Sequence, residues 1–268
     1  MLNELDASIL NILTETEQTK ISDALGTIIK ADPILRAEQA QLPTEPEGTE
    51  IAGLIDHTLL LAQYTPTDVD RACDEALKYG FASVCVNPLY VPQIVNRLKG
   101  SKVKPASVVG FIFGAEFPQI KLAQVEALTD AGIAELDAVL AVGLLKSGHY
   151  QQVGEDLGPL AEACHKAGVL FKVILEAGLL TPQEKVIGTI LAKHIGADYV
   201  KTCTGFAPGE ATIDDIGMLR KIAGNEMGVK AAAGIRSYEK AIGLVRAGAS
   251  RIGATQSVKI IEEAELAG

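Results

Sequence analysis

The stretch 197–205, ADYVKTCTG, decides the fold of this chain. It has the pattern of a short apolar strand that ends on a lysine, Lys201, and passes through small residues into a glycine. The next strand-like run, 228–234 (GVKAAAG), repeats the pattern with Lys230 in the matching place. Lysine is among the residues least often fully buried, so two lysines at matching strand ends indicate a chemical site rather than a packing role.

An alternation of strand and helix extends outward from this stretch over most of the chain. Helix-like stretches such as 67–79, 119–131, 182–195 and 238–247 separate the strand-like runs. Continuous apolar strands joined by crossover helices imply a parallel sheet, and eight such units over about 210 residues fit a closed (β/α)8 TIM barrel of the α/β class. The eight runs are predicted near 54–57, 81–86, 106–112, 134–140, 170–176, 197–203, 228–232 and 250–254.

The alternative fold is an open, doubly wound sheet. Sheets of that kind that bind dinucleotides carry a glycine-rich fingerprint after the first strand. Here the first strand-like run leads into 56–60, DHTLL, which lacks that fingerprint. The barrel is therefore the preferred prediction.

Residues 1–50 are predicted to form a helical N-terminal extension with a linker, and residues 51–268 to form the barrel domain. The linker is predicted at 42–48, LPTEPEG, because prolines, glycine and acidic residues are typical of linkers. We expect the extension to cap the barrel or to contact a partner. Apolar residues at helical spacing predict two short helices, with Leu2, Leu5, Ile9 and Ile12 in the first and Ile21, Leu25 and Ile28 in the second.

The formal charge of −10 disfavours nucleic acid and acidic membranes as partners. Ten acidic and three basic residues in 1–50 account for −7 of this charge, so the rest of the chain is close to neutral. An anionic ligand must then be held by local groups such as backbone amides and helix ends. We expect a small-molecule substrate, and we leave a homo-oligomer open because many barrels of this size form dimers.

The sequence contains no feature that points to export or to a membrane. No apolar stretch approaches the roughly 20 residues that cross a bilayer, and the first residues, MLNELD, lack the basic start and apolar core of a secretory signal. We expect a cytoplasmic protein. The cysteines form no Cys-x-x-Cys pair, so we expect no disulfide framework and no zinc site, but four reduced and buried thiols: Cys73, Cys85, Cys164 and Cys203.

Polar residues recur where the predicted strands end, which is where barrels of this kind form their active sites. Side chains alternate along a strand, so Asp137 is expected to point inward and to face Lys201 across the barrel. Lys172 lies nearer the start of its strand, and we expect it to be a structural residue paired with a carboxylate in a lower layer. The strand-end residues are Asp56, Cys85, Asn87, Asp137, Glu176, Lys201 and Lys230.

The two strand-end lysines predict nucleophilic chemistry. Two ammonium groups about 5 Å apart, at an effective dielectric constant near 20, repel by roughly 3 kcal/mol, or about 2 pKa units. This repulsion and desolvation predict a lysine pKa close to 8 or below, which leaves some neutral amine at neutral pH. A neutral amine in a pocket attacks carbonyl groups, so Schiff-base chemistry is the first hypothesis.

Other kinds of active site find less support in the sequence. A catalytic zinc site usually needs several converging histidines or cysteines, but His149, His165 and His194 fall in loop or helix segments. His57, beside Asp56, either lines the site or packs. No Gly-x-Ser-x-Gly elbow is present. Since Cys85 and Cys203 lack an obvious histidine base, packing is their expected role; we expect no metal and no cofactor.

Glycines follow or end the last three predicted strands, at Gly205, Gly234 and Gly253. Barrels often bind phosphate in this region with backbone amides and a helix amino terminus, and glycine permits close approach. Thr255 and Gln256, together with the serine after them, either donate hydrogen bonds there or cap the last helix.

Taken together, these residues resemble the 2-deoxyribose-5-phosphate aldolase family, which are class I aldolases built on this barrel. The resemblance covers about 51–262 and implies that Lys201 forms the Schiff base, Lys230 tunes it and Asp137 joins the proton relay. It implies reversible cleavage of 2-deoxy-D-ribose 5-phosphate to acetaldehyde and D-glyceraldehyde 3-phosphate, without metal or cofactor. The matching motifs are IDHTLL (55–60), SVCVNP (83–88), VVGF (108–111), ELD (135–137), KVILE (172–176) and YVKTCTGF (199–206).

Around the three catalytic residues we predict a substrate-binding set, and the chain departs from the family pattern within it. The family usually has two adjacent glycines where Ala233 and Gly234 stand, and the added methyl is expected to crowd a phosphate oxygen or shift the turn. The family also tends to have serine in place of Cys203. The predicted set is Asp56, Thr58, Cys85, Thr202, Gly205, Ala233, Gly234, Gly253, Thr255 and Gln256.

Two alternatives to the phosphate-specific aldolase stay open. One is a family relative that performs the same imine chemistry on another aldehyde, including one without phosphate. The other is a barrel without catalysis that binds sugar phosphates, with 1–50 as an interaction arm. The presence of Asp137, Lys201 and Lys230 together speaks against the second alternative.

Overall fold

The computed structural model of the chain describes residues 2, 7–28, 30–33 and 45–267. Its centre is a parallel sheet whose strands pair in chain order, with the last strand returning to the first, so the sheet closes into a barrel. The predicted (β/α)8 barrel is confirmed, and the open sheet is excluded. The strands are β1 (Ile55–Leu59), β2 (Ser83–Val86), β3 (Lys104–Val109), β4 (Glu135–Val139), β5 (Leu170–Ile174), β6 (Tyr199–Lys201), β7 (Gly228–Ala232) and β8 (Arg251–Ala254).

Helices surround the barrel, and two more precede it. Short 3-10 helices at Gly48–Leu54, Pro88–Tyr90 and Ala177–Leu179 supplement them. None of the helices in the described ranges is both long and apolar enough to cross a membrane. The α-helices are α1 (Ala7–Leu10), α2 (Glu15–Leu25), α3 (Pro66–Tyr79), α4 (Val91–Arg97), α5 (Pro118–Asp130), α6 (Val142–Lys146), α7 (Tyr150–Lys166), α8 (Pro182–His194), α9 (Ile213–Ala223), α10 (Tyr238–Ala247) and α11 (Ser257–Ala267).

Helix starts follow from local chemistry that the sequence displays. Thr65 and Thr181 cap α3 and α8, and in each case the third helical residue, Asp68 or Glu184, completes a capping box. Proline occupies the first position of both helices, where its missing N–H costs nothing. These caps place each helix directly after the loop at the carboxyl end of a strand.

Strand β3 ends earlier than predicted. The prediction of 106–112 included the apolar residues Phe111 and Ile112, but the strand stops at Val109. Gly110 then takes a φ of +60°, and Gly114 donates a backbone hydrogen bond to its carbonyl over 2.7 Å. This hydrogen-bonded turn takes Phe111 and Ile112 out of the sheet. The Phe111 ring then contacts Phe206, which follows β6.

The N-terminal helices pack on the outside of the helical ring. Helix α2 contacts α7 and α8, and α1 contacts α9. Ile28 sits directly against Gly154 of α7, where an added Cβ would lie 2.3 Å from the Ile28 Cδ1 atom. Ala31 extends the contact by donating its backbone N–H to the Ile195 carbonyl. Leu5 and residues 42–44 of the predicted linker lie outside the described residues.

Strand register places the two lysines at the same height. Lys201 of β6 pairs directly with Lys230 of β7, and Lys230 pairs in turn with Arg251 of β8. On the other side of the barrel Asp137 of β4 pairs with Lys172 of β5. A closed barrel with this register brings four cations and their counter-charges into one interior.

Candidate active site

A buried network of charges fills the interior of the barrel, from the starts of β4 and β8 to the carboxyl end of β6. Each member is at least nine-tenths buried, and seven ion pairs connect them without a break. Burial of charge is costly unless the charges are paired, which this arrangement achieves. The network consists of the cations Lys172, Lys201, Lys230 and Arg251 and the carboxylates Asp56, Glu135 and Asp137.

Asp137 is the centre of this network. Its Oδ2 atom accepts hydrogen bonds from the Nζ atoms of Lys201 and Lys230, both over 2.8 Å. Its Oδ1 atom accepts one from Lys172 over 2.9 Å. A single carboxylate oxygen therefore bridges the two strand-end lysines, which provides a direct route for a proton between them.

Arg251 and Asp56 hold Lys230 from the other side. Lys230 contacts the Oδ2 atom of Asp56, whose Oδ1 atom accepts hydrogen bonds from Arg251 and from the Ser83 hydroxyl, both over 2.7 Å. Gly253 leaves the space for this arrangement, because a Cβ there would lie 3.2 Å from the Cε atom of Lys230. Lys230 is thus fixed between two carboxylates.

The pKa shift of Lys230 runs opposite to the one expected from repulsion between the two lysines. Burial alone would raise the pKa of Asp137, but the nearby lysines, Lys172 foremost, hold that pKa well below its usual range. Burial lowers the pKa of Lys230, yet Asp137 and Asp56 outweigh it and the net shift is upward. The predicted lowering of a lysine pKa by a bare lysine pair is therefore wrong for Lys230, because Asp137 lies between the two ammonium groups.

Lys172 is a structural member of the network. It is fully buried and contacts Glu135 and Asp137 over 2.8 Å and 2.9 Å. Burial acts to lower its pKa, but these two carboxylates raise it far above the usual value for lysine. Its position near the start of β5, paired with carboxylates, agrees with the expected lower layer.

A cavity of about 280 Å³ opens above Lys201 at the carboxyl ends of β1, β6, β7 and β8. Lys201 is 3% exposed and is the only cation of the network among its lining residues. Seven of the predicted site residues line the cavity, namely Thr58, Lys201, Gly205, Ala233, Gly234, Gly253 and Thr255.

The remaining predicted site residues lie elsewhere. Lys230 and Asp137 are buried directly behind Lys201, and Asp56 behind Lys230. Cys85 and Thr202 are fully buried and do not line the cavity; Thr202 uses its hydroxyl to accept from the Ala232 N–H and donate to the Ala232 carbonyl. Gln256 lines a neighbouring cavity of about 360 Å³, together with His57.

The turn after β7 takes an unusual backbone conformation. Ala233 and Gly234 have φ values of +82° and +72°, in the left-handed region that favours glycine. A Cβ at Gly234 would lie 2.6 Å from the Cβ atom of Glu210, which cannot move without its backbone, so both this contact and the positive φ favour glycine there. Ala233 keeps the turn in spite of its methyl, and its carbonyl accepts a hydrogen bond from the Ala211 N–H over 3.1 Å.

Several lining residues were absent from the predicted set. Arg236 supplies a positive charge at the cavity, and its position immediately after the Gly234 turn is a signal that could have identified it. Phe206 and Leu61 add apolar surface, and the Phe206 ring contacts Phe111 edge-on at 5.4 Å between centroids. Phe111 lies in the turn after β3, far from Phe206 in the chain, so no local pattern shows this contact.

Glu176 orders the loop that carries Phe206. It has a φ of +58°, and its carboxylate accepts hydrogen bonds from the backbone N–H and hydroxyl of Thr204. The Thr204 hydroxyl in turn accepts from the Phe206 N–H over 3.1 Å. This chain of contacts fixes one wall of the cavity.

No histidine and no cysteine of the described residues lines the cavity of Lys201. His149 and His165 lie at the two ends of α7, and His194 ends α8. All four cysteines are buried and unpaired thiols. Within the described ranges, no group of three or more histidine, cysteine or acidic side chains is arranged to hold a metal ion.

Comparison with known proteins points to one family. The model of the DeoC/LacD family of aldolases matches residues 51–258. The chain is 44% identical to the deoxyribose-phosphate aldolase of Caldanaerobacter subterraneus subsp. tengcongensis, with 83% of this chain and 96% of that one covered. It is 45% identical to the deoxyribose-phosphate aldolase of Thermococcus gammatolerans, with 81% and 97% covered.

Solved structures also point to deoxyribose-phosphate aldolases. The superpositions cover more of this chain than the sequence matches do. A putative deoxyribose-phosphate aldolase from Coccidioides immitis superposes with a TM-score of 0.82 at 36% identity, covering 94% of this chain and 98% of that one. A tetrameric deoxyribose phosphate aldolase from Aeropyrum pernix superposes with a TM-score of 0.77 at 28% identity, covering 96% and 100%.

Proposed function

We propose that this chain, which belongs to the DeoC/LacD family of aldolases, cleaves 2-deoxy-D-ribose 5-phosphate reversibly into acetaldehyde and D-glyceraldehyde 3-phosphate. The enzyme is a lyase, and Lys201 is the residue we assign as its Schiff-base nucleophile. One observation carries this assignment: of the four cations in the buried network, Lys201 alone lines the cavity. The substrate is supported by the names of relatives at 44% and 45% identity.

The charge balance of the network supports the choice of Lys201. Four cations and three carboxylates leave one positive charge in excess when all are ionised, so loss of one proton neutralises the network. Lys172, Lys230 and Arg251 each contact two carboxylates, which stabilises their charged forms. Among the described residues, Lys201 pairs with Asp137 alone. Lys201 therefore has the fewest carboxylate contacts of the four cations, which supports its choice as the nucleophile.

The reaction follows from the positions of these groups. The Lys201 amine adds to the C1 aldehyde of the open-chain sugar, and loss of water gives a protonated imine. The imine withdraws the electron pair of the C2–C3 bond as that bond breaks, which releases D-glyceraldehyde 3-phosphate and leaves an enamine. Asp137, Lys230 and water accept the O3 proton and return a proton to C2. Hydrolysis of the imine then frees acetaldehyde and Lys201.

The other end of the cavity suits a phosphate. Gly234 and Gly253 expose backbone close to the site, Thr255 adds a hydroxyl, and Arg236 adds the charge that the near-neutral barrel otherwise lacks. Helices α10 and α11 begin beside these loops, and their amino termini favour an anion. These features support a phosphorylated substrate over a neutral one.

Trapping with borohydride tests the nucleophile. Reduction in the presence of acetaldehyde is expected to place a stable ethyl adduct on Lys201, located by mass spectrometry of peptides. Lys201→Leu is expected to lose the adduct and lower kcat by at least about 10³-fold, because the covalent route is removed. Its circular dichroism spectrum should match the wild type. An adduct confined to surface lysines, or a Lys201→Leu variant that keeps substantial activity, would show that the nucleophile lies elsewhere.

A pair of substrates tests the phosphate. We expect kcat/KM for 2-deoxyribose 5-phosphate to exceed that for 2-deoxyribose by about 10² or more, since the phosphate gains charge-assisted hydrogen bonds at the cavity. Coupled assays of aldehyde release measure both values. Comparable efficiency on the two sugars would favour the alternative of a family relative that acts on a non-phosphorylated aldehyde.

We further propose a cytoplasmic homo-oligomer. The tetrameric neighbour from Aeropyrum pernix supports self-association, and large apolar side chains stay exposed on this subunit, including Leu89, Phe113 and Phe117. Light scattering coupled to size-exclusion chromatography is expected to give a mass above that of one 28.2 kDa chain. A monomer at micromolar concentration would contradict self-association.

A further inference from the structure

A two-residue loop links β8 to α11 and lies between two cavities. Thr255 lines the cavity of Lys201 and also the neighbouring cavity, while Gln256 lines only the latter. Ala254 ends β8 before the loop and Ser257 begins α11 after it. The Ser257 hydroxyl donates to the Ala254 carbonyl over 3.1 Å, which ties the two ends of the loop together.

His57 anchors this tie to the rest of the barrel. Its imidazole Nδ1 atom lies 2.9 Å from the Ser257 hydroxyl oxygen, and its Nε2 atom lies 2.8 Å from a carboxylate oxygen of Glu75. His57 is 5% exposed and its ring also contacts Phe81, with 5.2 Å between centroids. The three polar side chains, His57, Ser257 and Glu75, are named here the His57 clamp.

The clamp joins the first strand of the barrel and the helix after it to the last helix of the barrel, 200 positions along the chain from His57. His57 belongs to β1, Glu75 to α3 and Ser257 to the first turn of α11. None of the three lines the cavity of Lys201. Their effect on a substrate must therefore pass through the loop that they hold, which begins with Thr255 at the phosphate side of the cavity.

We propose that the His57 clamp positions the β8–α11 loop for the phosphate of the substrate. The inference rests on the proposed function and deepens it, because it assigns three residues that touch no reacting atom to the phosphate end of the site. Without the clamp the loop loses its fixed position, so the Thr255 hydroxyl and the amides at the start of α11 no longer lie where they can all bind the phosphate. Chemistry at Lys201 continues, since the charge network does not include the clamp.

Kinetics on two substrates separate this role from a general loss of structure. Ser257→Ala is expected to raise KM for 2-deoxyribose 5-phosphate by about ten-fold, the usual effect of losing one or two hydrogen bonds, with kcat nearly unchanged. The value of kcat/KM for 2-deoxyribose should stay within about two-fold of the wild type. Glu75→Ala is expected to act in the same direction, and Glu75→Gln, which still accepts a hydrogen bond, to recover most of the loss.

Thr181→Ala provides a matched control. The Thr181 hydroxyl caps α8 by accepting a hydrogen bond from the Glu184 N–H, as Ser257 fastens the start of α11, but Thr181 lines neither cavity. It is expected to lower stability to a similar extent and to leave both KM values unchanged. An equal loss on the two sugars in Ser257→Ala, or unchanged kinetics there, would overturn the proposal.

Binding of inorganic phosphate keeps the test independent of turnover. Titration followed by NMR is expected to give about ten-fold weaker phosphate binding in Ser257→Ala than in the wild type. If the wild type fails to cleave 2-deoxyribose 5-phosphate but this difference persists, the proposed function fails and the clamp stands. Phosphate binding that is equal in the two proteins, or absent from the wild type, overturns the clamp whatever the reaction.

Discussion

At the scale of single residues, the chemistry depends on where each charge lies relative to Asp137. Sequence patterns identify Lys201 and Lys230 as paired strand-end lysines, and the register places them side by side. They do not reveal that one oxygen of Asp137 accepts from both. A prediction from repulsion between the two ammonium groups alone therefore gives the wrong direction for the pKa of Lys230, which Asp137 and Asp56 raise. The difference among these lysines lies in their contacts, since Lys201 alone combines one carboxylate partner with access to the cavity.

Ala233 allows a test of backbone strain beside this site. A non-glycine residue with φ near +82° costs about 1 kcal/mol or more, so Ala233→Gly is expected to raise the free energy of unfolding by up to about 1 kcal/mol, offset in part by a more flexible unfolded chain. Urea unfolding measures this change. Ala232→Gly is the matched control in β7 and should destabilise the protein by roughly 1 kcal/mol. Equal destabilisation by both changes would contradict strain at Ala233.

At the scale of elements, the pattern of strands and helices was predictable because each is local. Capping threonines, prolines at helix starts and continuous apolar runs are visible in short windows of sequence. The end of β3 was not, because the residues after it, including Phe111 and Ile112, are as apolar as a strand. Only the turn between Gly110 and Gly114 shows that the chain leaves the sheet there.

The N-terminal helices make a prediction that belongs to this scale. Ile21 of α2 is fully buried against the helical ring, so Ile21→Ala is expected to lower the free energy of unfolding by roughly 2–4 kcal/mol. The value of kcat/KM for the aldolase reaction should stay unchanged, since α2 lies outside the barrel. Chemical denaturation gives the first quantity and the cleavage assay the second.

Ser22→Ala is the control for this change, because Ser22 lies on the exposed side of the same helix. Its effect is expected to be within about 0.5 kcal/mol. If Ile21→Ala has as small an effect, the extension does not contribute to the stability of the fold, and the assignment of 1–50 as a separate appendage gains support.

At the scale of the whole molecule, the buried network couples stability to pH. The pKa of Asp137 is lowered on folding, so its contribution is present above the unfolded value of about 3.9 and is lost as pH falls toward the folded value. The pKa of Lys230 is raised, so its contribution is present below about 10.4 and is lost as pH rises beyond it. Stability that stems from the network is therefore largest between these limits.

Urea unfolding as a function of pH measures this coupling. Below about pH 4 the free energy of unfolding is expected to fall with pH, and Asp137→Asn should reduce that slope by up to about 1.4 kcal/mol per pH unit, the value for one proton. Asp214→Asn, on the exposed first turn of α9, serves as the control and should leave the slope nearly unchanged. An Asp137→Asn slope equal to that of the wild type would show that Asp137 is not stabilised by folding.

The sequence by itself determined the barrel, the order of its strands and the pair of lysines at neighbouring strand ends, because periodicity, caps and strand-end chemistry are local properties of the chain. Tertiary structure alone decided which lysine meets the cavity, that Asp137 lies between the two, that Arg236 joins the site and that His57 holds the β8–α11 loop. These contacts join residues up to 200 positions apart. Closure of the barrel brings such residues together, and no short window of sequence records it.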